Sequence, residues 1–63
     1  MRYSIQAHGK QVVANTPGEA LSIAANMVYL SHKLHSHLLA QIIRGEPATY
    51  AYGFAECSIT PMN

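Results

Sequence analysis

His32, His35 and His37 crowd one short stretch of this 63-residue chain in an H-x-x-H-x-H pattern. On a helix, His32 and His35 would stand on neighbouring turns, a spacing at which two imidazoles can share a metal ion. His37 would point away from both. No carboxylate lies close in sequence to complete a tetrahedral set, and Glu46 falls beyond the expected helix end. The pattern therefore calls for no metal and no cofactor. It leaves His32 and His35 flanking an interface or touching a ligand.

Tyr50, Tyr52 and Phe54 occupy alternate positions of a period-two stretch. Such a row can stack bases or nucleotide rings. It can equally form the core face of a sheet or a sheet-to-sheet interface. The intervening positions, Ala51, Gly53, Ala55 and Cys57, are small and would let a helix approach closely. That contrast turns the aromatic row outward, toward a ligand or partner. Lys33 and Arg44 could supply charge beside it. These aromatics, with His32, His35, Lys33 and Arg44, are the candidate ligand- or partner-binding residues.

Catalysis finds little to work with. General acid–base chemistry needs titratable groups brought together, whereas the carboxylates Glu19, Glu46 and Glu56 are scattered. Cys57 is the lone cysteine and reads as an inert buried thiol. A Cys–His nucleophilic pair would lack an Asn or Asp to orient it. His8-Gly9-Lys10 could grip an anion, but a hairpin turn bearing an exposed lysine is the commoner use of such a triplet. No catalytic residue is assigned, and the chain is expected not to be an enzyme.

Composition narrows the partner classes. Four Lys or Arg and three Asp or Glu give a formal net charge of +1, with charged residues only 11% of the chain. Phosphate binders cluster their cations, whereas Arg2, Lys10, Lys33 and Arg44 stand singly. Nucleic acid is therefore disfavoured as a partner, and a dimeric DNA-binding regulator is kept only as a reserve reading. The span from Ala20 to Ile43 is broken by Asn26, His32, Lys33, His35 and His37, which argues against a membrane helix. Met1-Arg2-Tyr3-Ser4 opens no apolar leader segment. With one cysteine and no disulfide framework, a cytoplasmic setting is expected.

The elements that must position these groups read as follows. Tyr3, Ile5 and Ala7 alternate with Ser4 and Gln6, Gly9 marks a turn, and Val12-Val13 is a β-branched pair. Together they predict a hairpin over 2–15. Thr16-Pro17-Gly18-Glu19 sets a hydroxyl at the N-cap, proline at the first helical position and glutamate two residues on. Arg44-Gly45 followed by Pro47 is a stop signal. Between them the pattern predicts one helix over 17–44, roughly 42 Å long at about 1.5 Å per residue. A break near Ser31-His32 is conceivable, although no Gly or Pro demands it. Alternation from Ala48 to Thr60 predicts one long strand, ended by Pro61. The fold class is then α+β: a single β-β-α-β domain over 1–63, one long helix on a three-stranded, mainly antiparallel sheet.

Oligomerisation is expected to complete it. A chain this short buries only about 60% of its unfolded surface, and it has neither disulfide nor metal to compensate. Unrolled at about 100° per residue, the helix shows two apolar stripes. One runs through Ile23, Met27, Leu30, Leu34 and Leu38, the other through Val28, Leu39, Ile42 and Ile43. One stripe covers the sheet. The second, Val28, Leu39, Ile42 and Ile43, is the expected interface of a dimer or higher homo-oligomer. The long helix and last strand would also outreach a short hairpin, leaving apolar surface for a partner to cover.

A small, weakly charged, oligomeric protein with exposed aromatic and histidine surface suits binding better than catalysis. Chains of this size are common among phage and mobile-element accessory factors, many of which inhibit a host defence or regulatory protein by binding it. The alternative is a sponge that sequesters a small nucleotide-like signalling molecule in pockets at subunit joins.

Overall fold

The computed structural model describes Met1–Met62. Its elements are β1 (Arg2–Ala7), β2 (Lys10–Ala14), α1 (Pro17–Met27), α2 (His32–Ile43), β3 (Ala48–Tyr52) and β4 (Ala55–Met62). The strands form one antiparallel sheet in the order β2-β1-β4-β3. Both helices lie on one face, α1 chiefly against β1 and β2, α2 against β3 and β4. The α+β class and the first hairpin follow the expectation. The single long helix and the single long strand do not.

The first hairpin turns on His8 and Gly9, both at positive φ (53° and 72°), as a two-residue turn of type I′ requires. Tyr3, Ile5 and Ala7 are buried beneath the helices, as their alternation implies. Ser4 lies on the other face, where it accepts a hydrogen bond from Gln11 Nε2 at 2.8 Å.

The start of α1 keeps its cap. The Glu19 N–H donates to Thr16 Oγ1 at 3.1 Å. The Asn15 N–H donates to Glu19 Oε1 at 2.7 Å, one residue earlier than the usual reciprocal partner. The end of α2 keeps its stop. Gly45 sits at φ 83°. Its N–H donates to the Ile42 carbonyl at 3.0 Å and that of Glu46 to the Gln41 carbonyl at 3.2 Å, a Schellman closure.

The helix expected over 17–44 breaks between these ends. Val28 is extended (φ −138°, ψ 131°), and the Ser31 side chain starts α2 by accepting from the Leu34 N–H at 3.3 Å. Two groups from the sheet side take the carbonyls that a continuous helix would have used. The Tyr50 hydroxyl donates its one proton to a position shared by the Ala24 and Val28 carbonyls, 2.8 Å from each. His8 Nε2–H donates to the Met27 carbonyl at 2.8 Å. The Ala24 carbonyl also keeps its bond from the Val28 N–H, so the freed acceptors met by tertiary partners are those of Met27 and Val28. The chain turns back and α2 covers β3 and β4, so the expected overhang does not exist.

The strand expected over 48–60 is a hairpin. Gly53 at φ 63° followed by Phe54 at negative φ fits a type II′ turn, with glycine first. Folding there puts Tyr50 opposite Cys57 and Tyr52 opposite Ala55. Aromatic and small residues, expected on opposite faces, therefore share the helix-side face. Nor does Pro61 end the strand, which runs on to Met62 opposite Arg2. The turn makes Ala55, Cys57 and Ile59 bond toward β3, so Pro61 faces that same side. There β3 has already stopped, at Ala48 opposite Ile59. The missing proline N–H costs no ladder bond.

The core lies between the helices and this sheet face, with Ile5, Leu21, Ile42, Cys57 and Ile59 fully enclosed. Val28 and Ile42, expected at an oligomer interface, are buried in the core of the single chain. Of that stripe, Leu39 is half-buried and Ile43 exposed.

Candidate functional site

The expected binding residues divide into four groups. Tyr50 belongs to the core. It is buried between α1 and β4, its hydroxyl terminates α1, and burial pushes its phenol well above the ordinary range, with Cys57 adding to the effect. It faces inward, which overturns the outward orientation expected from the sequence. Cys57, directly opposite on β4, is equally enclosed; burial raises its thiol, and the neighbouring Tyr50 hydroxyl opposes that shift only in part. A raised, enclosed thiol is a poor nucleophile.

Tyr52 and Phe54 form the second group, joined by a residue that the sequence pattern does not single out. Tyr52 ends β3 and Phe54 projects from the turn, fully exposed. Tyr29, in the link between the helices, packs on Tyr52 with ring centroids 4.9 Å apart and planes tilted by 54°. Each of these two tyrosines remains 61% exposed. The result is an aromatic corner at one end of the molecule, built by the inter-helix link and the β3–β4 turn. On an unbroken helix Tyr29 counts only as a polar-face residue. Its placement in the link follows from the break at Val28.

A third group opens α2 directly after this link: His32 and Lys33 are both exposed, and His35 is half-buried one turn on. Arg44 is the fourth group. It closes α2 at the other end, about 18 Å from His32 at the helical rise. There its Nε lies 3.3 Å from Glu46 Oε2, both side chains exposed. Arg44 and Tyr50 therefore do not share a pocket with the aromatic corner.

The face of the sheet away from the helices is uncovered. Arg2, Ser4, Gln6, Gln11, Val13 and Thr60 share it with a shallow depression of about 360 Å³ over β3 and β4. Thr49, Ala51, Glu56 and Ser58 line that depression. One unbroken strand gives no reason to expect it, because pairing Thr49 with Ser58 requires the turn at Gly53.

Among the described residues, no group of three or more His, Cys, Asp or Glu is placed to hold a metal ion, and no buried side-chain nitrogen or oxygen lacks a partner. No helix among them is long and apolar enough to cross a membrane. No family model, curated protein or solved structure matches the chain.

Proposed function

We propose that this chain is a small non-enzymatic binding protein that inhibits a partner protein by docking its aromatic corner into an apolar recess on that partner. The observation that carries the reading is the exposure of Tyr29, Tyr52 and Phe54 together at one end of a molecule whose other aromatic residues, Tyr3 and Tyr50, are buried. Aromatic anchors dominate binding energy at protein interfaces because each brings a large apolar area at low entropic cost. Phe54 stands on a tight two-residue turn, so little ordering entropy opposes its insertion.

Sequestration of a nucleotide-like ligand is supported less well. Its proposed contacts are dispersed, with Tyr50 enclosed and Arg44 paired at the far end of α2. Tyr29 and Tyr52 already pack on each other, so a base would have to stack on the outside of the pair.

The test compares capture from an extract of the source cells by tagged wild-type chain and by Phe54→Ser. The expected result is one polypeptide retained stoichiometrically by the wild type and lost with the variant, whose circular dichroism is unchanged. Equal retention by both would contradict the aromatic corner as the docking site.

A further inference from the structure

We infer that β2 is a self-docking edge: two copies pair β2 with β2, antiparallel, about a twofold axis at Val12. Ala7 and Lys10 face each other across the turn, and the Lys10 N–H, donating to the Ala7 carbonyl as a two-residue hairpin turn requires, makes them a bonded pair. Alternation along the ladder then commits Val12 and Ala14 inward to β1. Gln11 and Val13 are left with N–H and C=O pointing off the edge of the sheet, because β2 is the outermost strand.

Natural edges are guarded by proline, bulges, covering elements or charge. The β1–β2 register runs without a bulge from Ala7–Lys10 to Tyr3–Ala14, and the strand contains no proline. Its one charge, Lys10, stands at the first residue. Val12 and Val13, β-branched, are 39% and 45% exposed. The opposite edge has less to gain, since Ala48 and Tyr50 of β3 are already covered by the helices.

The register follows from the same groups. Centred on Val12, Gln11 lies opposite Val13 of the partner subunit, and the two symmetric pairs use every outward N–H and C=O of Gln11 and Val13. Val12 meets its own counterpart at the close, unbonded position, about 4.5 Å between Cα atoms. Lys10 falls opposite Ala14 of the partner subunit, so no like charges face each other. Centring on Val13 would call on the Asn15 N–H, which already donates to Glu19 Oε1 at 2.7 Å. Centring on Gln11 would lay Val13 against the turn at Gly9.

This interface shares no residue with the aromatic corner and stands without it. Sedimentation equilibrium over a wide concentration range, with amide hydrogen exchange by NMR, tests it. The wild type is expected to reach twice its chain mass, with the Gln11 and Val13 amides slowed at least tenfold relative to dilute protein. Val13→Pro removes an outward N–H and no ladder bond, so it is expected to stay monomeric with unchanged circular dichroism. Val12→Lys, which sets two ammonium groups face to face, is expected to do the same if the proline variant folds poorly. Phe54→Ser is expected to remain dimeric. A wild type that stays monomeric, freely exchanging Gln11 and Val13 amides in a dimer, or a dimer that survives Val12→Lys would each overturn the inference.

Discussion

The hydroxyl of Tyr50 lies 2.8 Å from the carbonyl oxygen of Val28, across 22 residues of sequence. It lies equally close to the Ala24 carbonyl. One buried phenol on β3 thus ends a helix that local sequence would let continue, and so directs the chain into the link that carries Tyr29.

Tyr50→Phe keeps the ring and removes the donor. The Ala24 carbonyl retains its bond from the Val28 N–H at 2.9 Å, but the Val28 carbonyl loses this partner. The expected loss is about 1–3 kcal/mol of unfolding free energy, the cost of stranding a buried acceptor. Urea denaturation measures it; an unchanged midpoint would show that the hydroxyl does not hold the helix end.

Alkali should weaken the fold. Tyr50 and Cys57 both have folded values raised above their ordinary 10.0 and 9.0. A raised acid stays protonated in the folded chain while the unfolded chain begins to ionise, so the unfolded state binds fewer protons and stability falls as pH rises. Their contribution is intact below about pH 9 and declines above it. Stability curves from neutral pH into the alkaline range should show this slope, and Tyr50→Phe should reduce it; a flat profile would contradict the burial of both groups.

Two backbone positions set the ends of elements by local chemistry. Gly53→Ala forces a side chain into positive φ at the β3–β4 turn, with an expected cost of about 1–2 kcal/mol. Nothing lies within 4 Å of the position a Cβ would take, so backbone strain is the whole effect. Thr16→Ala removes the α1 cap at about 1 kcal/mol. Thermal melts of the two variants check both, and an unshifted midpoint in either would show that its residue does not set that element's end.

These same positions show what can be read from the chain alone. Thr16, Glu19, Gly45 and the Tyr3–Ile5–Ala7 alternation act within a few residues of themselves, and each is legible. The helix break is legible only in its local part, the Ser31 cap of α2, because Tyr50 and His8, which hold the end of α1, come from a strand and a turn distant in sequence. The second hairpin is hidden by its own parity. A two-residue turn interrupts period-two alternation so briefly that Gly53 passes for one more small residue of a strand. Both misreadings feed the candidate site, placing Tyr50 outward and leaving Tyr29 out. Correcting them also removes one argument for a partner, since a folded-back α2 covers the surface that a long helix would have exposed.

Phe54→Ser alters a fully exposed side chain. It should leave stability within about 0.5 kcal/mol, since no burial is given up. Its cost should appear only in binding. A clear destabilisation on urea denaturation would mean that Phe54 packs against the fold and is not free to dock.

Native mass spectrometry of the chain purified from its source cells bears most directly on docking through the aromatic corner. The expected species is a complex of this chain with a second, different polypeptide, absent when Phe54→Ser replaces the wild type. The chain alone, or the chain carrying only an adduct the size of a small molecule, would contradict it.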